Sequence, residues 1–270
     1  MQSCLKSAEN TADIVIIQEP WIGTNESPPS HYTISHPSFI LLLSQTNHCP
    51  RTATYITKTN PHINASLRTD LCTDEDIQIL SISTPSIDTL FLFNIYNEKP
   101  RYDHSLPYTV DRILKNINIP SRTILAGDFN AHHAWWNSST KKPIRHETLL
   151  QITEMGNFDL LNEEDTPTYH YAHGSSILDL TFSSPTITPL ISNWAIDEDN
   201  PTSSDHELIR FDISSYENNI LDVPTNERWN CKKANWENFG KHLKERSDST
   251  SDIWQTLHYH NNQTNLNSAG

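Results

Sequence analysis

Apolar residues in this chain fall mostly in short runs, separated by stretches rich in Ser, Thr, Asn, Asp and Pro. Short apolar runs bounded by turn formers predict buried strands. The clearest in the N-terminal third is Asp13-Ile14-Val15-Ile16-Ile17, and Pro20 stops it because proline has no N–H for a ladder. Residues 23–37, rich in Pro, Ser and Asn, predict a surface loop. The runs 39–43 and 52–57 predict an antiparallel pair, and 77–82 with 90–96 a hairpin. Thr123-Ile124-Leu125-Ala126, entered from Pro120-Ser121, predicts a buried strand closed by Gly127. Phe158 to Leu161 is a short apolar stretch, Thr166 to Tyr169 begins another strand or a loop, and Trp194 to Ile196 is short. Ile177 to Phe182 alternates around an internal aspartate, and Glu207 to Ile213 reads as the last strand.

The period changes to helical at residue 105. Ser105 is a good cap and Pro107 suits the first turn. Val110, Ile113, Leu114 and Ile117 follow at i, i+3, i+4 and i+7, with Pro120 past the end. A second helix is expected from 145 to 155, stopped by Gly156, and residues 5–12 predict the end of a short one. Strand, helix and strand in succession point to helices layered on sheets. This organisation fills residues 1–215. Residues 216–270 predict a linker, an amphipathic helix over 235–246 with Trp236, Phe239 and Leu243 on one face, and a polar, disordered tail.

Composition narrows the class. A chain of 270 residues with 35% hydrophobic content can bury a sizeable core. The 19 basic and 33 acidic residues give a formal net charge of −14. That is awkward for a nucleic-acid binder unless local basic residues or a divalent metal supply positive charge. Cys4, Cys49, Cys72 and Cys231 are far apart, which argues against a zinc site or a disulfide framework and for reduced thiols in an intracellular protein. No apolar run approaches the ~20 residues of a membrane span, and the N-terminus lacks the apolar core of a secretory signal.

The candidate chemistry lies at the ends of the expected strands. Glu19 closes the first, Tyr96 the hairpin, and Gly127-Asp128-Phe129-Asn130 the strand at 123–126. Asp179 sits inside an apolar strand, where an unpaired carboxylate is costly. Asp205 and His206 precede the last strand. Each has an ordinary alternative reading: a turn, a solvated carboxylate, a half-buried packing tyrosine. Gathered in one cleft, several carboxylates and a histidine can hold one or two Mg²⁺ ions and activate water against phosphorus. His132 and His133 read either as loop residues at the cleft rim or as contacts to a DNA backbone or a second metal. Lys141, Lys142 and Arg145 read equally as backbone contacts or as a solvated charge run. Trp135 and Trp136 are expected to pack.

The segments IVIIQEPW, LFLFNIYN, ILAGDFNAHHAWW, SSILDLTF and SSDHELIRF, in that order, resemble the endonuclease/exonuclease/phosphatase superfamily. QEPW and GDFNAHHAWW resemble in particular the endonuclease domain of non-LTR, LINE-type retrotransposon polyproteins. The segment WNCKKANW at 229–236 is similar to the stretch that links such endonucleases to a reverse transcriptase. The resemblance covers roughly residues 10–215. It implies an α/β (α+β) fold, a four-layer α/β sandwich with two mixed β-sheets. It also implies a DNA-nicking activity that depends on Mg²⁺ or Mn²⁺, in the nucleus if the substrate is chromosomal DNA. Residue by residue, it implies that Glu19 binds the metal and Tyr96 touches the scissile phosphate. Asp128 would position or deprotonate water, and Asn130 would orient the phosphate. Asp179 would hold His206, Asp205 would join the metal or water network, and His206 would stabilise the phosphorane. The family normally opens with a further strand bearing an asparagine. That strand is not in this sequence, which predicts a gap beside residues 13–17 and weakened or lost activity. A catalytically dead remnant and a phosphatase or exonuclease of the same superfamily are the alternatives.

Overall fold

The structure, a computed structural model, describes residues 1–27, 29–197 and 204–214. The expected linker, the helix over 235–246 and the polar tail lie outside the described residues. In chain order the elements are α1 (Gln2–Ala8), β1 (Ile14–Gln18), β2 (Gly23–Glu26), β3 (Pro29–Tyr32), β4 (Phe39–Leu42), β5 (Thr52–Thr57), β6 (Asn64–Leu67), β7 (Ile77–Thr84) and β8 (Ile87–Tyr96). There follow α2 (Thr109–Arg112), β9 (Thr123–Asp128), α3 (Glu147–Met155), β10 (Asp159–Leu160), β11 (Tyr169–Tyr171), β12 (Gly174–Ser176), β13 (Asp179–Ser183), β14 (Ile191–Ile196) and β15 (Ile209–Ile213).

A six-stranded sheet in the order β10-β13-β9-β8-β7-β6 forms the middle of the domain. It is mixed: β8 and β9 run parallel and the other neighbours antiparallel. A parallel pair needs a crossover connection, and residues 97–122 with α2 supply it. β9 and β13 are buried along their whole length, as central strands covered on both faces must be. A second layer holds the sheet β1-β5-β4 and the ribbon β14-β15. Both cover one apolar cluster around Leu80, Leu92 and Ile124, through Ile14, Ile16 and Leu42 on one side and Phe211 and Ile213 on the other.

Two more clusters complete the stack. α1 puts Leu5 and Ala8 against Val15, Phe39 and Tyr55 on the outer face of β1-β5-β4. α2 and α3 put Val110 and Leu149 against Phe93, Leu125, Phe129 and Phe182 on the opposite side of the six-stranded sheet. Three apolar interfaces between helices, sheet, sheet and helices make the expected four-layer α/β sandwich. The second sheet layer is antiparallel rather than mixed among the described residues. Among the described residues β1 pairs with β5.

Some local expectations change. The polar stretch 23–37 contains the hairpin β2-β3, and β6 forms where no strand was expected. The helix expected from Ser105 shrinks to α2, capped at Tyr108 and broken at Ile113, with a separate turn at Leu114–Asn116. The apolar face survives, since Val110 and Leu114 are buried. β-Branched Thr109, Val110 and Ile113 resist a long helix. The Val110 N–H is also tied to Asn97 Oδ1 at 2.9 Å, and Arg112 is drawn to Asp74.

Candidate active site

Strand register brings the candidate residues together. Tyr96, the last residue of β8, pairs with Asp128, the last residue of β9, and Asp128 pairs in turn with Asp179, the first of β13. Three polar side chains thus share one row at one end of the six-stranded sheet. Gly127 permits the close approach: its φ is +141°, and a Cβ there would lie 2.0 Å from the Ile95 carbonyl oxygen. Only glycine fits that backbone.

Asp128 is 5% exposed. Its Oδ1 accepts the Asn130 backbone N–H at 2.9 Å and its Oδ2 accepts Asn130 Nδ2 at 3.1 Å. Burial and the neighbouring Asp179 push its carboxyl up to about 7; His206 and the Asn130 N–H oppose this, and Glu19 adds to it. His206 is held to Tyr169 by a backbone bridge, and its Nδ1 lies 2.9 Å from Asp179 Oδ2. Burial works against a charged imidazole, but the contact with Asp179 and the nearby Asp128 and Glu19 outweigh it and raise its pKa. Asp179 is itself anchored: its N–H donates to Thr168 Oγ1 at 2.9 Å and its carbonyl accepts Asn162 Nδ2 at 2.9 Å.

Glu19 follows β1 with φ +50°, and Asn130 has φ +48°. Left-handed backbone at a non-glycine residue costs about 1–2 kcal/mol, and such strain concentrates where a side chain must be aimed. Glu19 is half exposed, and its ion pair to Arg101 is long, 3.3 Å. The Tyr96 hydroxyl interacts with it, and burial together with Glu19 and Asp128 raises the phenol's pKa. Tyr96, Asp128, Asn130, Asp179, His206 and Glu19 therefore form one constellation. Asp205 is exposed beside it, its carbonyl accepting the His170 N–H at 2.8 Å.

The remaining candidates lie on the loop after β9. His132 bridges Ile144 through both backbone groups, and burial lowers its pKa, with Arg145 adding to this. His133 stacks on His146 with ring centroids 5.0 Å apart. Arg145 covers the Tyr108 ring at 4.0 Å and reaches Glu98 at 3.4 Å, whereas Lys141 and Lys142 are exposed. Trp136 packs as expected, 1% exposed; Trp135 is 41% exposed.

The sequence reading missed the supports. Asn94, buried in β8, accepts Gln18 Nε2 at 2.6 Å and donates to the Ala53 carbonyl at 3.0 Å, tying the two sheets together behind the site. Asn97 donates to the Phe129 carbonyl at 2.7 Å and so fixes the exit of β9. Arg51 lies over the Tyr96 ring at 5.0 Å, and its carbonyl accepts the Glu19 N–H at 2.9 Å. It also grips Asp76, whose carbonyl accepts the Tyr96 N–H at 2.9 Å. The available signal was a polar residue inside an apolar run, as in LFLFNIYN.

A divalent cation suits this chemistry. Glu19, Asp128 and Asp179 raise one another's negative potential, and the half-exposed Glu19 carboxylate, with Arg101 at 3.3 Å and the Tyr96 hydroxyl as partners, is suited to ligate a hard ion. Asp74, Glu75 and Asp76 also bring ligand atoms within 4.8 Å of one another. There, however, Asp76 and Asp74 already take Arg51 and Arg112.

The endonuclease-reverse transcriptase family model matches residues 90–210, a span that holds every residue of the constellation except Glu19. The endonuclease domain of TRAS1, a telomere-specific non-LTR retrotransposon, superposes with a TM-score of 0.60 at 26% identity, over 79% of this chain and 90% of that one. The 3′-5′ exonuclease NExo from Neisseria meningitidis gives 0.48 at 12% identity, over 79% and 93%. The human Nocturnin catalytic domain gives 0.45 at 14%, over 79% and 86%. No curated protein matches by sequence. In sequence over residues 90–210 the chain is similar to the endonuclease-reverse transcriptase family, and in fold it is similar to the endonuclease domain of a non-LTR retrotransposon. Among the described residues no helix is long and apolar enough to cross a membrane.

Proposed function

We propose that this domain is a metal-dependent DNA endonuclease that nicks target DNA for non-LTR retrotransposition, in a polyprotein that also carries a reverse transcriptase. The supporting observation is the row Asp128–Asp179–His206, in which burial and Asp179 push one carboxyl up to about 7 and the contact with Asp179 raises the pKa of the imidazole. An acid and a base poised near the working pH are what phosphodiester hydrolysis needs.

Asp128 takes a proton from the attacking water, with Asn130 fixing the carboxylate's orientation and contacting a phosphate oxygen. His206, oriented through Nδ1 by Asp179, presents Nε2 to the charge that develops on phosphorus. Tyr96 donates its hydroxyl to the same phosphate. Glu19, with Asp205 at the rim, would hold Mg²⁺ or Mn²⁺, whose contribution is to polarise the phosphoryl oxygen and offset the carboxylates. Lys141, Lys142, His132 and His133 flank the cleft and suit the DNA backbone; Arg145 is engaged with Tyr108 and Glu98 and contributes less. On chromosomal DNA the domain would act in the nucleus.

Supercoiled plasmid incubated with the protein and Mg²⁺ should relax to the open circle. EDTA, Asp128→Ala and His206→Ala should each stop this. Release of phosphate from small esters with the plasmid left intact would instead favour a phosphatase. Inactivity of a folded protein on both substrates would favour the inert remnant.

A further inference from the structure

Exposed rings gather where the chain passes Glu19. Trp21, two residues further on, is 59% exposed and meets Tyr32, 45% exposed, edge to face at 5.9 Å. The pair stands at the open end of the hairpin β2-β3, where the Trp21 carbonyl accepts the Thr33 hydroxyl and Tyr32 lies across Gly23. The His31 N–H donates to Gln45 Oε1 at 3.4 Å, which ties this hairpin to the loop that carries His48. There a second pair forms: His48 and Tyr102 stack with ring centroids 3.7 Å apart and 14° between planes. Tyr102 has one face on His48 and is still 49% exposed, so its other face is open. A concavity of about 240 Å³ beside this stack also meets Arg51 and Arg101. Arg51 lies over the Tyr96 ring and Arg101 reaches Glu19, so the rings border the site itself.

Charge decides what such a rim can hold. The chain carries a formal net charge of −14, and several arginines are engaged within the fold: Arg51 with Asp76, Arg112 with Asp74 and Asp76, Arg145 with Glu98. Arg101 differs, with 65% of its side chain exposed and a long ion pair; it is placed for a phosphate. Gripping intact duplex takes many phosphate contacts, because that affinity comes largely from neutralised phosphates. Base faces within a duplex are covered by their neighbours, so an exposed ring can stack only on a base that has left the stack. A rim rich in open rings and poor in available guanidinium groups suits unpaired DNA.

We propose that the pairs Trp21–Tyr32 and His48–Tyr102 hold unpaired bases beside the phosphate that is cut, with Arg101 on a neighbouring phosphate, so that the substrate is DNA opened over a short stretch rather than intact duplex. The inference rests on the nuclease reading and adds to it the form of DNA on which the site acts. Stacking is largely indifferent to which base is offered, so the preference is for unpaired structure and not for a sequence.

Fluorescence anisotropy with the full chain in EDTA tests it, using a labelled duplex and the same duplex with a short central bubble of mismatched thymines. The bubble should bind about tenfold tighter. Tyr102→Ala and Trp21→Ala should each weaken bubble binding about fivefold and leave duplex binding unchanged, whereas Tyr102→Phe, which keeps the ring, should bind like the unaltered protein. Both positions are exposed, so the variants should keep the parent's circular dichroism spectrum. Equal binding of the two probes, or a preference that neither alanine variant reduces, overturns the stacking platform. Nicking of the same probes with Mg²⁺ separates the two readings. Fast nicking of both at equal rates overturns the platform and spares the nuclease. A bubble preference that Tyr102→Ala removes, with neither probe nicked, upholds the platform and sinks the nuclease reading.

Discussion

Two acidic clusters in this domain have been handled in opposite ways. At Asp74–Asp76 the carboxylates meet guanidiniums: Arg51 Nη2 reaches Asp76 at 2.6 Å, Arg112 binds both Asp74 and Asp76, and the Thr109 hydroxyl donates to Asp76 at 3.1 Å. Burial raises the Asp76 carboxyl's pKa, with Asp74 adding to it, and Arg51 and Thr109 oppose the rise without reversing it. At Asp128–Asp179, among the described residues, no arginine enters; the basic side chain in hydrogen-bond reach is His206, and Asp128 rises to about 7. In the first cluster the charges of Asp74 and Asp76 are settled within the fold by arginine and spent on position, since Arg51 and Asp76 hold the Glu19 and Tyr96 backbones. The second is charge left for a cation, a water and a phosphate to settle. Local density of carboxylates therefore does not find the chemistry; the absence of arginine does.

The comparison breaks most visibly in activity. Asp128→Asn should cut plasmid nicking about a thousandfold while circular dichroism stays unchanged. Asp76→Asn should act the other way round. It strands Arg51 as a buried, uncompensated charge, leaves Arg112 with Asp74 alone, and should cost about 3 kcal/mol of stability in denaturant titration, with nicking lost in proportion to unfolding.

A smaller effect should appear in the dependence of stability on pH. Asp128 has a raised folded pKa, so below about pH 4 it is protonated in both states and costs nothing. Between pH 4 and 7 the unfolded chain releases the proton while the fold retains it, and stability falls. His206, also raised, contributes stability below about pH 6.5 that is lost as pH climbs through its folded value. Both therefore make the metal-free protein weaker at pH 8 than at pH 5. Asp128→Asn should recover about 2 kcal/mol at pH 8, and Mg²⁺ should raise the melting temperature of the unaltered protein more than that of the variant. Smallest of all, Arg145→Ala should change nicking less than about threefold and stability by less than about 1 kcal/mol, because its charge is already shared with Glu98 and Tyr108. A loss as large as that of Asp128→Asn would show that it contacts DNA after all.

The legible part of this molecule was the part written locally. Apolar runs gave β1, β5, β7, β8, β9 and β13, and polar residues at their ends gave Glu19, Tyr96, Asp128 and Asp179. Partners brought together from far apart in the chain left no local trace. Arg51 meets Asp76 across 25 positions and Asn94 meets Gln18 across 76. The hairpin β2-β3 was hidden because its residues are largely exposed and carry no apolar alternation. The long helix expected at 105–117 failed because tertiary bonds from Asn97 and Asp74 outcompete helical propensity there.

Gly127 carries a consequence for inheritance. Any missense change in the first two bases of a glycine codon writes a side chain, and the Ile95 carbonyl oxygen, 2.0 Å from where its first carbon would sit, leaves it no room. Only silent third-base changes keep Asp128 in line with Tyr96. A gene copy no longer held to its function would meet at this codon an early, irreversible error, so reading that one triplet in related copies would sort those still able to build the site from those that are not.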